Sequence, residues 1–168
     1  MIKKKILSIF VIVFAFLLQT TVFRVFELAD VVPNLLLVAT VFYAYMRGRT
    51  SGIIAGFFCG LILDMMYGSV IGLYAFIFMT VGFIIGFCQK IYFRENLLLP
   101  TILIAISDLL YGIFYYITEF LMRGRLHFGF FFLHRILPEM VYTVIVGIVF
   151  FYILVSLEKL VTTHRKEE

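Results

Sequence analysis

Tryptophan is absent from this chain, cysteine occurs twice in 168 residues, and only 14% of the residues are charged. The scarcity of charge excludes most soluble architectures. An ordinary soluble domain is roughly half apolar and about one quarter charged, whereas 64% of this chain is hydrophobic. A single core of this size does not hide so much apolar surface, so lipid is the expected solvent for most of it. Cys59 and Cys88 both lie inside apolar stretches, which argues against a disulfide framework and for small packing residues. Without Trp, an interfacial aromatic belt has to be built from the 10 Tyr and 21 Phe. Catalytic signatures are also missing: there is no HExxH, GxSxG, Walker loop or CxxC. His127, His134 and His164 fall in a loop and the tail, without metal-site spacing. The net charge of +4 is not a nucleic-acid signal, because Lys and Arg separate apolar runs instead of sharing one face.

What is present is a succession of apolar runs. Lys3, Lys4 and Lys5 precede Ile6–Leu18, and no small-x-small cleavage site follows, so the first run is expected to be an uncleaved span. A helix rises about 1.5 Å per residue, so a hydrocarbon core of about 30 Å needs around 20 residues. On that measure the spans are residues 6–23, 33–46, 51–66, 70–88, 97–118 and 137–157, in one integral membrane domain with a tail at 158–168. Asp64 is the only charge between Thr50 and Cys88, a stretch about twice the length of one span. It must fold back, and Tyr67-Gly68-Ser69 supplies the turn. The second and third spans are short, so tilt or local thinning is expected. The fold class is therefore all-α, a polytopic six-helix transmembrane bundle.

Six spans place both termini on one side. Lys3, Lys4, Lys5, Arg47, Arg49, Lys90, Arg94, Lys159, Arg165 and Lys166 share that side; Arg24, Arg123, Arg125 and Arg135 lie opposite. The positive-inside rule then puts both ends in the cytoplasm. Arg123, Arg125 and Arg135 crowd the last outer loop, and a re-entrant or surface-lying stretch at Leu126–His134 would account for them.

The most informative segment carries Gly52, Gly56, Gly60, Gly68 and Gly72, with Asp64 in the missing place of the four-residue series. Residues at i and i+4 share a ridge of a helix. Glycines there let a second backbone approach, which matters in lipid because apolar burial does not drive helices together. The ridge is read as helix packing or as a partner-binding surface. Gly82 and Gly86 repeat the spacing. Asp64 is read either as a polar turn residue or as part of that surface. Asp108 stands at the midpoint of its span, where a charge facing lipid costs at least about 2.5 kcal/mol. It must face the bundle interior, pair, or carry a proton, and Ser107 beside it is a candidate partner. Glu139 follows Pro138 at the start of the last span, where proline suits a first helical turn and an acid complements the helix dipole. Pro33 plays the same part at the start of the second span. No cofactor is implied by any of these groups.

With these residues in view, the chain resembles the rod shape-determining protein MreD family. The resemblance is carried by the basic start, Leu18-Gln19-Thr20-Thr21, Val32-Pro33-Asn34-Leu35-Leu36-Leu37 and Arg47-Gly48. It continues through Gly52-x-x-x-Gly56-x-x-x-Gly60-Leu61-x-x-Asp64, Gly68-x-x-x-Gly72-Leu73-Tyr74-Ala75, Asp108-Leu109-Leu110-Tyr111 and Leu137-Pro138-Glu139. Asn34 stands where the family commonly has Asp, and Thr143 where an Asn is frequent. The resemblance implies a scaffold of the bacterial cell-elongation machinery in the inner membrane, not an enzyme. Its implied partners are MreC, and through it MreB, RodA and a class B penicillin-binding transpeptidase in peptidoglycan synthesis. The glycine ridge with Asp64 would form or support the site for the MreC transmembrane helix. The six spans are also similar, at the level of fold, to the substrate-binding components of energy-coupling-factor transporters. The alternative function is accordingly a small-solute-binding membrane component of a transporter, with Asp108, Ser107 and Glu139 lining a pocket open to the outside. An intramembrane enzyme built on Asp64 and Asp108 is the least supported reading.

The composition yields a direct expectation. The expressed chain stays in the membrane fraction through buffer and high-salt washes and is released by detergent; a folded, dispersed chain in plain buffer would contradict it.

Overall fold

The computed structural model describes residues 2–25, 31–68, 71–91, 98–117 and 128–163. Among these the chain is almost entirely helical, in six main helices, with residues 31–34, 48, 68 and 71–72 outside them. Helix α1 runs Ile2–Leu17 and continues through a π turn at Leu18–Val22 into Phe23–Val25. Helix α2 is Leu35–Arg47, α3 is Arg49–Tyr67, and α4 is Leu73–Ile85, which tightens into a 3-10 helix at Gly86–Ile91. Helix α5 is Leu98–Tyr116. Helix α6, Leu137–Thr163, is entered through Phe128–Phe131 and a π turn at Phe132–Ile136. Three stretches, Arg49–Tyr67, Leu98–Tyr116 and Gly129–Lys159, are long and apolar enough to cross a membrane; Leu7–Val22, Leu35–Arg47 and Leu73–Gln89 are apolar but shorter.

The six expected spans correspond to these six helices, and the largest difference is in the last. The described part of the 126–134 stretch is helical and joins the last helix: residues 129–159 form one continuous helical run. Leu126 and His127, like Arg123, Arg125 and Ser69, lie outside the described residues. Pro138 is consequently not in the first turn of a free helix but in the interior of a longer one. A proline inside a helix offers no N–H and crowds the carbonyl four residues back. The helix absorbs this by widening just before it, with the Leu137 N–H donating to Phe132 O, five residues back. Glu139 therefore does not sit at a free helix N-terminus, and the helix-dipole account of it fails.

Helix α2 is the hub. It touches α1, α3, α4, α5 and α6, and every residue from Leu35 to Tyr45 is buried. A helix apolar on all sides belongs inside a bundle, and α2 has no charge between Leu35 and Met46. Phe42 and Tyr45 pack against Phe151 of α6, with the Phe42 and Phe151 rings edge-on at 5.4 Å.

Helices α3 and α4 form the closest pair, an antiparallel hairpin. The glycine ridge of α3 faces α4 directly. A Cβ at Gly56 would collide with the Phe78 backbone, one at Gly60 with Tyr74 and Ala75, and one at Gly52 with Gly82 O and Ala44. Each four-residue step along α3 thus matches about four residues back along α4, so the two backbones touch along their length. The partner of the ridge in this structure is α4 of the same chain. In a hydrocarbon environment such close packing supplies dispersion contacts that apolar burial does not.

Enlarging this seam should be severe, because the obstructing atoms are backbone. Gly60→Leu is expected to cost at least about 3 kcal/mol, the upper part of the overpacking range. Ile54→Leu on the exposed face of α3 should change little. Thermal unfolding of the detergent-solubilised variants checks both; equal stability of Gly60→Leu and the parent would contradict the seam.

Candidate functional site

The first N–H groups of a helix lack partners within that helix. Helix α4 solves this with a residue from its neighbour. Its own N-cap, Gly72, adopts φ +99° and gives no side-chain cap. Asp64, near the end of α3, accepts the Tyr74 N–H at Oδ1 (2.9 Å) and the Ala75 N–H at Oδ2 (3.0 Å). The carboxylate is only 2% exposed. Two charge-assisted bonds at the positive end of a helix offset its desolvation. Asp64 is thus neither an ordinary turn residue nor an outward-facing group. Its place in the glycine series puts it on the side of α3 that touches α4, one step beyond Gly60. Gly68 ends α3, its N–H donating to Asp64 O at 3.0 Å, and a Cβ there would run into the Asp64 backbone.

The start of α2 is built on the same plan. Asn34 is its N-cap and accepts the Leu37 N–H at 3.1 Å. The Leu36 N–H donates to Gln19 Oε1 from the end of α1 at 3.2 Å. The Asn34 N–H in turn donates to Thr143 Oγ1 on α6 at 3.1 Å. Pro33 therefore precedes the cap, one residue outside the helix, instead of occupying its first turn. Asn34 and Thr143, the two positions at which the resemblance led us to expect other residues, are hydrogen-bonded to each other.

Asp108 is 1% exposed, on the α5 face turned into the bundle. Its carboxylate hydrogen-bonds the Thr143 side chain and lies within electrostatic reach of Glu139 and of Tyr111. Its Oδ1 has no hydrogen-bond partner. Ser107 is not its partner, because the Ser107 hydroxyl donates to Leu103 O at 2.7 Å. Asp64 and Asp108 have different partners and do not form an aspartyl pair. Among the described residues no group of three or more His, Cys, Asp or Glu could hold a metal ion.

These polar groups surround a cavity of about 360 Å³. Gln19 comes to it from the end of α1, Asn34 from the start of α2, Tyr67 from the end of α3 and Tyr74 from the start of α4. Tyr111 and Tyr115 come from the end of α5, and Arg135 and Glu139 from the entry to α6. Alternating ends and starts converge because consecutive helices run antiparallel, so the cavity sits at one end of the bundle. Glu139 lines it, whereas Asp108 and Ser107 stand behind the lining. The rings of Tyr74, Tyr111 and Tyr115 form a triad with centroids 6.1, 6.1 and 6.2 Å apart. In the sequence, Tyr74 and Tyr111 stand only within the family-like motifs and Arg135 only as an outer-loop cation, and their convergence on one cavity was not expected; the i, i+4 spacing of Tyr111 and Tyr115 was the available signal. The opposite end is tied differently: Arg47 Nε meets Glu158 Oε1 at 3.0 Å, and Arg47 also donates to Ser8 Oγ at 2.9 Å.

The crossing hydrogen bond at the start of α2 gives a measurable expectation. Thr143→Val leaves the buried Asn34 N–H without an acceptor and should cost about 1–3 kcal/mol, while Thr143→Ser keeps the acceptor and should cost clearly less. Thermal unfolding in detergent separates them; equal losses would show that the hydroxyl is not what matters.

A family model described as rod shape-determining protein MreD matches residues 2–161. The match covers nearly the whole chain, and the chain belongs to that family. No curated protein and no solved structure matches it, so the expected likeness to energy-coupling-factor components has no structural counterpart here.

Proposed function

We propose that this MreD-family chain is a multi-pass scaffold of the bacterial cell-elongation machinery, held in the inner membrane. The family match over residues 2–161 carries the reading and implies a role in rod shape determination. Membership of a family of shape-determining structural components favours a non-enzymatic role. The scaffold binds an MreC-like single-span protein and through it helps couple MreB to peptidoglycan synthesis by RodA and a class B penicillin-binding transpeptidase.

The membrane placement is supported by the distribution of apolar side chains. Ile9, Phe10, Ile54, Phe58, Phe76, Ile102, Ile145 and Val149 are exposed on the outer faces of five helices. Soluble monomers rarely leave such contiguous apolar surface in water. Both termini on the cytoplasmic side is the orientation favoured by the excess of Lys and Arg there. The Arg47–Glu158 pair and the Arg47–Ser8 bond are consistent with it, since they join the start of α1, the end of α2 and the later part of α6 at one end. The polar cavity then belongs at the outer end.

For a partner helix, the α3–α4 hairpin is the proposed platform. Its glycine ridge and Asp64 support the site by fixing the pair, while the outward residues Ile54, Phe57 and Phe58 are available for contact. The alternative reading, capture of a small solute for transport, has the cavity in its favour.

Depletion separates the two. Rod-shaped host cells lacking the chain should become round and swollen, and expression of the chain should restore rods. Unchanged shape with a new nutrient requirement would instead favour transport. Co-purification addresses the platform: Phe57→Ala with Phe58→Ala should lower MreC recovery severalfold at equal expression, and undiminished recovery would reject that face.

A further inference from the structure

The cavity has a chemistry that scaffolding alone does not explain. Arg135 is exposed at its rim. Glu139 is partly buried in its wall, and Asp108 lies beyond that wall with Oδ1 unpartnered. The groups thus run from a cation outside to acids inside. Three tyrosine rings at mutual distances of 6.1–6.2 Å flank this path. Aromatic faces attract ammonium groups, and more strongly where water is excluded. A primary ammonium also carries three donors for carboxylate and phenol oxygens, which a quaternary one lacks. A guanidinium at the rim suits phosphate, which it can bind through two parallel hydrogen bonds. The volume, about 360 Å³, lies within the range of small-molecule sites and far exceeds one water.

We propose that this chamber binds a phosphoethanolamine-type zwitterion, its ammonium between Glu139 and the tyrosine triad and its phosphate on Arg135. The same chemistry is offered by an aminophospholipid head group and by a soluble phosphoethanolamine ester. The inference goes beyond scaffolding and rests on the membrane placement proposed above. It does not require transport: a head group held between the ends of six helices would fix those ends relative to the outer leaflet.

The test uses the full chain purified in detergent. Phosphatidylethanolamine, phosphatidylcholine, phosphatidylglycerol and soluble glycerophosphoethanolamine are each titrated, with binding read by native mass spectrometry and by the shift in unfolding temperature. Phosphatidylethanolamine should be retained at least tenfold better than phosphatidylglycerol, and severalfold better than phosphatidylcholine. Glu139→Gln should abolish that preference, and Arg135→Gln, at the exposed rim, should weaken it even if Glu139→Gln fails to fold. Equal affinity for glycerophosphoethanolamine and the lipid would support the site and assign it to a soluble zwitterion; a lipid-only response assigns it to the leaflet. Equal retention of phosphatidylethanolamine and phosphatidylglycerol by the folded parent, or a preference untouched in both variants, overturns the proposal. A chain that stays folded in plain buffer defeats the membrane placement instead.

Discussion

Two N–H groups at the start of α4 have no acceptor in their own helix, and the buried Asp64 carboxylate on α3 has no ion pair among the described residues; the hairpin depends on each satisfying the other. Asp64 takes the Tyr74 and Ala75 N–H groups with its two oxygens. In hydrocarbon, an unsatisfied backbone group costs several kcal/mol, and an isolated charge costs more. The arrangement is available only if the two backbones are already in contact. Gly52, Gly56 and Gly60 provide that contact by leaving no Cβ between them. The glycines and the aspartate are therefore parts of one device. Its glycine steps bring α4 close, and its acid step fixes the register and direction of the next helix.

The same solution appears at the start of α2, where Gln19, Asn34 and Thr143 come from three different helices. Capping across the bundle has a consequence for shape. Side chains that reach over to another helix's N-terminus must gather polar atoms at one end, and there the packing opens into the tyrosine-lined chamber. At the other end an ion pair between Arg47 and Glu158 is supported by Ser8 and by the Tyr43 ring, 5.0 Å from the Arg47 guanidinium. One end is closed and charged, the other polar and partly open.

Much of this architecture was legible in the amino-acid sequence. Apolar run lengths gave the six helices, and the four-residue glycine period located the seam. Their places within apolar spans singled out Asp64, Asp108 and Glu139. What the period did not reveal was which helix fills the ridge, because i, i+4 spacing describes a surface and not its partner. The position of Asp64 in the series was visible, but its role as a cap for another helix depends on an antiparallel return that sequence spacing alone does not define. Pro138 misled for a local reason. A proline near an expected boundary reads as a start, whereas here a π turn lets the helix run through it. The tyrosine triad was hidden because its members, Tyr74, Tyr111 and Tyr115, come from two helices that are not in register along the chain.

The scaffold role proposed above requires helices held at fixed relative positions, and the close backbone contact of the α3–α4 hairpin supplies such a fixed pair. Amide hydrogen exchange at Tyr74 and Ala75, compared between the parent and Asp64→Asn in the same detergent, tests it most directly. Asparagine offers one acceptor oxygen and no charge, so loss of even one bond worth about 1.4 kcal/mol should speed exchange about tenfold at one or both amides. Amides in the middle of α5 should be unaffected. Fast exchange at Tyr74 and Ala75 in the parent, or protection unchanged in Asp64→Asn, would contradict the account.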